Sequence, residues 1–328
     1  MREVAFIKQN KQKWLDFETS LFGNVKKNPD ELADLFMHLT NDLAYAQTYY
    51  PKSKTINYLN DLTARAFHKI YRSRKTGLAR VKFFFQYDLP MVLYRNRIYM
   101  LAAFIIFIFF VTIGVFSSIK DPSYPNQVLG DAYIDMTLEN IKNGKPLNVY
   151  ADSPPFEMFL QIALNNLRVT IQVFTSGILL GLGSIYYAYQ NGVMLGSFQY
   201  FFHTKGLLWQ SALGIWMHGS FEIFSIVIAL MSGLVLGGSF LFPTTYSRKI
   251  SFLQGTGDAV QIYMSTIPFI IIAAFIESFI TRLAGITPYI FQGLISIGTF
   301  VLIFWYYVLY PKIVYQKMKS GKIKFEED

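Results

Sequence analysis

The residues best placed to do chemistry are ionisable side chains that lie inside long apolar stretches. These are one histidine and two glutamates, His218, Glu222 and Glu277, with Arg282 at the end of the last stretch. His218 and Glu222 are four residues apart, so on a helix one lies directly above the other. Such groups are costly in lipid and usually face a cavity or the interior of a helix bundle. The pattern therefore predicts a polar site among membrane helices.

Counting along the apolar stretches places these groups at a similar depth. Glu222 lies about 20 residues, or one membrane thickness, before the inner end of its stretch near Leu241. Glu277 is one helical turn from the outer end of its own stretch. Three more polar residues start another stretch on the same side: Asn165, Asn166 and Arg168. We therefore expect all of these side chains near the outer leaflet.

Two interpretations of this polar cluster follow from the residue types. In the functional one, it opens outward and binds a lipid headgroup, a partner's helix or an ion. In the structural one, His218 and Glu222 join helix ends while Glu277 pairs with Arg168 or Arg282. The sequence favours the structural interpretation.

Complete catalytic or cofactor-binding sets are missing from the sequence. The chain has no cysteine, which excludes disulfides, thiolate metal sites and cysteine nucleophiles. It has no nucleophile elbow, phosphate-binding loop or dinucleotide fingerprint. A zinc site needs three or more converging ligands, and the stretches supply only one histidine and two glutamates. The sequence therefore predicts no catalytic residue, no metal and no cofactor.

The distribution of charge predicts the architecture that holds the cluster. Charged residues make up 16% of the 328 residues and hydrophobic ones 52%, whereas an ordinary soluble domain is about 25% charged. The charges also leave several uncharged stretches long enough to cross a bilayer. We predict an all-α, polytopic transmembrane helix bundle of about six spans with an N-terminal helical domain in the cytoplasm.

The N-terminal third carries most of the positive charge. Residues 1–97 contain 17 basic and 9 acidic residues, which is +8 of the total +9. A bilayer segment follows directly, so the positive-inside rule explains this excess and nucleic acid is not expected as a partner. Residues 1–77 read as three helices of a cytoplasmic domain. In residues 78–97, basic and aromatic residues alternate, which favours an amphipathic interfacial helix over a packed fourth helix of that domain.

The remaining segments follow from the apolar stretches. Residues 98–119 are uncharged and form the first transmembrane helix, and the slightly acidic segment 120–168 is an extracytoplasmic loop. The membrane bundle extends over 169–310, and a basic cytoplasmic tail covers 311–328. Within the bundle we expect crossings at 169–190, 193–204, 216–241, 259–281 and 288–310. Segment 193–204 either crosses or re-enters; six crossings place both basic termini in the cytoplasm.

Pairs of glycines recur at a spacing of four residues. Such pairs let two helix backbones approach closely in lipid. They fit the interior of a compact bundle and equally the face of a homo-oligomer. The pairs are Gly177 with Gly181, Gly192 with Gly196, and Gly233 with Gly237.

Several of these motifs together resemble one family. The run MHGSFE from Met217 to Glu222, with its glycine-bearing continuation to Gly237, resembles the stage II sporulation protein M family. The runs NNLRVT at 165–170, NGVMLG at 191–196 and IAAFIESFIT at 272–281 resemble it too. Arg2, Glu3, Phe6 and Trp14 are similar to the long-form members.

This resemblance implies a membrane scaffold in the bacterial cytoplasmic (inner) membrane. The namesake is thought to hold cell-wall hydrolases at the septal membrane during engulfment, which implies envelope or peptidoglycan-related partners outside. Relatives are often encoded beside a MoxR-type ATPase and von Willebrand factor A domain proteins, which implies these as further partners besides membrane lipid. The role expected is therefore non-enzymatic.

Two other functions are weighed against the scaffold. One is an intramembrane hydrolase or lipid-modifying enzyme that uses His218, Glu222 and Glu277. The His-Gly-x-x-Glu pattern is faintly similar to that of CAAX-type proteases, but their paired glutamates are absent. The other is a transporter or lipid translocator, for which a helix broken at Asn191 and Gly192 would provide a substrate site. No matching break occurs in a second half of the chain.

Overall fold

The computed structural model describes the chain in six ranges: residues 3–22, 29–72, 77–143, 154–243, 247–283 and 287–320. Within these ranges the chain is helical and contains no strand, which confirms the predicted all-α class. Arg2, residues 144–153 of the predicted outer loop and residues 321–328 of the predicted tail lie outside the described residues. The backbone contacts divide the chain into two units, with the boundary between Val81 and Lys82.

The N-terminal unit has a core of its own. Its main helices are α1 (Glu3–Phe22), α2 (Pro29–Tyr49) and α3 (Lys54–Arg72). Apolar residues at helical spacing on all three helices are buried together: Phe6, Trp14, Phe17, Leu39, Leu43, Ala46, Leu59 and Leu62. The indole Nε1 of Trp14 donates a hydrogen bond of 2.9 Å to the carboxylate of Asp42, so the only polar atom of this large side chain is satisfied.

The second unit contains the apolar stretches. After α4 (Leu78–Phe83) and a π-helical turn at Phe84–Asp88, eleven helices follow among the described residues. They are α5 (Leu89–Arg95), α6 (Arg97–Lys120), α7 (Tyr124–Leu129), α8 (Asp131–Lys142), α9 (Pro155–Thr175), α10 (Leu182–Thr204), α11 (Leu208–Leu241), α12 (Arg248–Met264), α13 (Ile267–Phe275), α14 (Tyr289–Phe304) and α15 (Tyr310–Lys319).

Four helical stretches of this unit are long and apolar enough to cross a membrane. They are Arg97–Lys120, Leu208–Leu241, Arg248–Leu283 and Tyr289–Lys319. Helices α9 and α10 have 21 and 23 residues, and at about 1.5 Å per residue each can span a hydrocarbon core of about 30 Å. The prediction of a transmembrane helix bundle is therefore confirmed. The helix lengths are compatible with about six membrane spans.

Helix α11 is the central element of the bundle. Apart from His218 and Glu222 it carries no ionisable residue, and most of its side chains between Met217 and Gly238 are buried. Helices α6, α9, α10, α12, α13 and α14 all pack against it. A membrane helix that is buried on every side must be apolar on every side, which explains why its sequence shows little amphipathic pattern.

The predicted crossings at 169–190 and 193–204 are wrong in their boundaries. Helix α9 begins at Pro155 and ends at Thr175, and the chain turns at residues 176–181 before α10 begins. Two residues of this turn have positive φ, Leu180 at 55° and Gly181 at 84°. The sequence analysis missed the turn because it contains no charged residue and because its two glycines, Gly177 and Gly181, were assigned to helix packing.

Asn191 and Gly192, where a broken helix was predicted, lie inside the continuous helix α10. Segment 193–204 is the second half of that helix and does not form an element of its own. The transporter hypothesis therefore loses the broken helix on which it rested.

Most of the segment predicted to lie at the membrane interface, from Lys82 onward, belongs to the second unit and packs within it. Leu89, Val92 and Leu93 of α5 are buried in the main apolar core of that unit. The hydroxyls of Tyr306 and Tyr310 donate hydrogen bonds to backbone carbonyls in the π-helical turn. Helix α15, which forms the first half of the predicted tail, packs on α5, since the rings of Tyr94 and Tyr315 are stacked 4.1 Å apart.

Candidate functional site

Three of the predicted site residues meet in the second unit. One ligand-type atom from each of His218, Glu222 and Glu277 lies within 4.8 Å of the other two. His218 is only 5% exposed, and the two glutamates are partly buried. We call these three residues the His-Glu-Glu cluster. The sequence analysis predicted that the three residues lie at a similar depth in the membrane. The structure shows in addition that their side chains are close to one another.

Helix α11 supplies two members of the cluster. His218 and Glu222 are one turn apart on the same face, as their spacing predicts. Glu222 is 19 residues before the end of α11 at Leu241, which is about 28 Å along the helix axis. This distance is close to a hydrocarbon thickness of about 30 Å, so the cluster lies one membrane thickness from that end of the bundle.

An irregular stretch of backbone supplies the third member. Helix α13 changes into a π-helical turn at Ile276–Ile280, which contains Glu277, and then into a 3₁₀ turn at Thr281–Leu283. Nε2 of His218 is 3.9 Å from Oε1 of Glu277, and Nδ1 of His218 is 2.9 Å from the hydroxyl of Thr281. Both ring nitrogens of His218 therefore face this irregular segment.

Helix α9 contributes an amide to the same place. Nδ2 of Asn166 donates a hydrogen bond of 2.5 Å to Oε1 of Glu222. Since α9, α11 and the extension of α13 each contribute side chains, the cluster connects three helices. Next to it, Ser220 donates a hydrogen bond of 2.7 Å to Thr299 on α14, which adds a fourth helix to the polar contacts at this level.

The other predicted site residues are placed differently. Asn165 and Arg168 have exposed side chains on α9, and Arg282 is partly buried immediately after Thr281. In sequence, Asn165 and Arg168 flank Asn166, and Arg282 is five residues after Glu277. Asn165 and Arg168 lie near the middle of α9 and not at the start of a span, because that helix begins thirteen residues before Arg168.

The sequence analysis missed Thr281 as a member of the site. Its hydroxyl is the hydrogen-bonding partner of His218 Nδ1. A signal was present, since Thr281 is four residues after Glu277 and would share its face on a regular helix. The π-helical turn was not predictable from the sequence, because the run Ile276–Ile280 contains no glycine or proline that would mark a break in the helix.

All six predicted glycines face other helices of the same chain. A methyl group added at Gly177 would collide with the backbone of Gly233, and one added at Gly237 would collide with the backbone at Gly181. On α10, Gly192 would meet Phe110 Cβ at 2.7 Å, and Gly196 would collide with α6. These contacts hold the turn between α9 and α10 against α11 and α10 against α6.

A second polar group lies near the other end of α11. Asp258 on α12 accepts hydrogen bonds from Arg95 Nε at 3.1 Å and from Asn96 Nδ2 at 2.9 Å, and it also pairs with Arg95 through Nη2. These residues line a cavity of about 650 Å³ together with Tyr99 and Gly238. The contacts join the start of α6 to α12, and the sequence analysis did not predict them.

Comparisons with known proteins agree with the two-unit division. The family model described as stage II sporulation protein M matches residues 103–282, more than half of the chain. The domain of unknown function DUF8413 matches residues 4–72, within the N-terminal unit. No curated protein and no solved structure matched the chain.

Proposed function

Because this chain belongs to the stage II sporulation protein M family, we propose that it is a non-enzymatic membrane scaffold of the bacterial cytoplasmic membrane. In this proposal both termini are cytoplasmic, and α7 and α8 lie on the outer side. The N-terminal unit meets cytoplasmic partners or anionic lipid, and the outer segment meets envelope or peptidoglycan-related proteins. A MoxR-type ATPase and von Willebrand factor A domain proteins are the cytoplasmic partners to test first.

The observation that carries this proposal is the division of the chain into two separately packed units. The N-terminal unit buries its own apolar residues around Trp14 and Phe17, and it matches a family model different from that of the membrane unit. A membrane bundle that carries an additional packed domain offers separate surfaces for different partners. This organisation is what an assembly factor needs and what a self-contained catalyst does not require.

Charged surfaces on the two segments allow the proposal to be tested separately on each side. On α1, Lys8, Lys11 and Lys13 are exposed, whereas the neighbouring Trp14 is buried. On α8, Asp135 and Glu139 are exposed and four residues apart, and Ile134 and Thr137 are buried beneath them. Charge reversal at either surface therefore spares the core that holds each helix.

The experiment compares two full-length variants after cross-linking in native membranes and quantitative mass spectrometry. Lys8→Glu with Lys11→Glu and Lys13→Glu should lower the recovery of cytoplasmic partners and leave envelope partners unchanged. Asp135→Lys with Glu139→Lys should do the reverse, so each variant is the control for the other. If neither variant changes any partner, the scaffold proposal is wrong.

One observation favours a second candidate, an intramembrane hydrolase or lipid-modifying enzyme. The His-Glu-Glu cluster brings an imidazole and two carboxylates within 4.8 Å of one another, which is the set of groups that acid-base chemistry requires. The test is turnover of peptide and lipid substrates by purified protein in proteoliposomes. Activity that Glu222→Gln abolishes would establish this function and overturn the scaffold proposal.

A further inference from the structure

We propose that the His-Glu-Glu cluster binds one divalent transition-metal ion, with zinc as the ion to test. This inference does not rest on the scaffold role, because a bound ion could serve either a structural or a catalytic bundle. The sequence analysis predicted no metal, because the apolar stretches supply only one histidine and two glutamates, and it placed these residues at a similar depth without showing that they touch. The structure shows that they converge.

The donor set suits a zinc-type ion. Zinc is commonly bound in proteins by histidine nitrogen and by aspartate or glutamate oxygen, and sites with three protein ligands keep a fourth position open. An imidazole favours zinc and its neighbours among the transition metals, whereas magnesium and calcium prefer sites made of oxygen alone. His218 with Glu222 and Glu277 is a set of one nitrogen and two oxygen ligands.

The distances are close to those that a bound ion requires. With zinc–ligand bonds of about 2.0–2.2 Å, two tetrahedral ligand atoms are separated by about 3.4 Å. His218 Nε2 and Glu277 Oε1 are 3.9 Å apart, and the widest separation in the cluster is 4.8 Å. The final torsion of a glutamate is broad, and turning it moves the oxygens by about 1–2 Å. Side-chain rotation alone can therefore close the cluster around an ion.

Two hydrogen bonds already orient the proposed ligands. A metal-binding histidine usually donates its other ring nitrogen to an oxygen acceptor, which fixes the tautomer. His218 matches this pattern, since Nδ1 is 2.9 Å from the Thr281 hydroxyl while Nε2 faces Glu277. Asn166 donates to Oε1 of Glu222 and leaves Oε2 free of that bond. Thr281 and Asn166 thus occupy the positions of outer-shell residues in a metal site.

The backbone irregularity at Glu277 is a separate observation that points to the same conclusion. Single π-helical turns within α-helices are frequent at functional sites, where they redirect side chains. Here the π-helical turn Ile276–Ile280 and the 3₁₀ turn after it carry both Glu277 and Thr281 to His218. Two other π-helical turns among the described residues, at Phe84–Asp88 and Trp305–Leu309, carry no member of the cluster. What distinguishes the turn at Ile276–Ile280 is that it brings Glu277 to His218.

The membrane location provides the energetic reason for a cation. Two carboxylates and an imidazole at this depth are costly unless they are paired or coordinate an ion. A divalent cation balances the negative charge of both carboxylates at once. The imidazole lone pair provides its third protein ligand. A shared proton is the competing explanation, and it predicts no dependence on metal.

The experiment measures zinc bound to the full-length chain, purified in detergent with an affinity tag that contains no histidine. After chelation and equilibration with zinc, mass spectrometry of the elements should give about one ion per chain, as for a single three-ligand site. His218→Ala, Glu222→Gln and Glu277→Gln should each lose this ion. His203→Ala and Glu157→Gln change exposed residues of the same types and should retain it.

Two conservative variants separate metal binding from general damage to the bundle. Thr281→Val removes the hydroxyl without changing the size of the side chain, and it should weaken zinc binding by about 10–100-fold, as loss of an outer-shell partner does. Thr281→Ser keeps the hydroxyl and should bind zinc nearly as well as the wild type. If both variants bind zinc equally, Thr281 is not an outer-shell residue, and the proposed geometry fails.

Wild-type protein provides a measurement that no folding defect can affect. Cobalt substituted for zinc should give the visible absorption of a four-coordinate site, and 1,10-phenanthroline should remove both that absorption and any rise in melting temperature caused by zinc. Absence of a stoichiometric ion from the wild type, or its retention in all three ligand variants, would overturn the proposal. Neither result bears on the partner-recovery experiment, so the two proposals fail independently.

Discussion

The N-terminal unit and one part of the membrane unit bring their helices together with opposite kinds of side chain. The N-terminal unit fills the space between helices with large rings, such as Phe6, Trp14 and Phe17. Where α9 and α10 meet α11, the contact is made by glycines whose backbones touch, such as Gly177 on Gly233. The difference follows from the solvent, because water drives large apolar groups together whereas lipid does not.

This comparison explains how each unit can be damaged. In the N-terminal unit, stability depends on apolar area removed from water, so loss of a large side chain is harmful. In the membrane unit, stability at these contacts depends on how closely helices approach, so addition of a small group is harmful. Substitutions of matched size should therefore have opposite effects in the two units.

The largest effect is expected for Trp14→Ala. Removal of this buried ring should destabilise the N-terminal unit by about 3–5 kcal/mol, and it also removes the hydrogen-bond donor of Asp42. Hydrogen exchange of the full-length protein should show faster exchange throughout α1, α2 and α3, with no change in α11. Leu15→Ala, at a neighbouring exposed position, is the control and should change stability by less than about 0.5 kcal/mol.

If the ring of Trp14 were dispensable, exchange in α1–α3 would match that of the Leu15 variant. The apolar core would then not be what holds this unit together. Burial of large rings would then no longer distinguish the N-terminal unit from the membrane unit.

The second effect is expected for Gly177→Ala. The added methyl collides with the backbone of Gly233, which cannot move aside as a side chain can, so the cost should be about 1–3 kcal/mol of bundle stability. Gly298→Ala on α14 is a matched control, because a methyl there meets nothing within 4 Å. That change should be neutral or should stabilise the helix by up to about 1 kcal/mol. Thermal unfolding in detergent provides the measurement.

Equal melting temperatures for these two alanine variants would contradict close packing at Gly177. The glycine pairs would then need another explanation, such as the face of a homo-oligomer. In that case the Gly177 variant should change the oligomeric state in size-exclusion chromatography and leave the melting temperature unaltered.

The sequence predicted those parts of the fold that depend on composition. Uncharged length identifies α6 without ambiguity, since 22 residues separate Arg97 from Lys120. It failed at the turn near Gly181, because the turn contains no charge and its glycines fit a helix-packing pair equally well. The end of α9 and the beginning of α10 therefore could not be predicted from hydropathy.

The candidate site was predictable to the extent that lipid restricts charge. The few ionisable groups in the spans were identified as His218, Glu222 and Glu277, and the structure places them together. Their exact contacts were not predictable, because they depend on the π-helical turn and on the register of three helices. Asn166 was separated from its neighbour Asn165 only by the direction that each side chain takes on α9.

The smallest effect is expected for a single hydrogen bond between membrane helices. Ser232 on α11 is buried and donates a bond of 2.5 Å to the carbonyl of Ala259 on α12. Bonds between helices in lipid contribute only about 0.6 kcal/mol on average, because the separated helices find other partners. Ser232→Ala should therefore lower bundle stability by about this amount, which is about two to five times less than Gly177→Ala should cost.

The control for this bond is Thr112→Val on α6. The hydroxyl of Thr112 is exposed and bonds only within its own helix, to the carbonyl of Phe109, so its loss should leave the melting temperature unchanged. A cost for Ser232→Ala greater than that of Gly177→Ala would reverse the ranking. Polar contacts, and not close backbone approach, would then be what holds α11 to its neighbours, and the His-Glu-Glu cluster would become the main connection between helices at its own level.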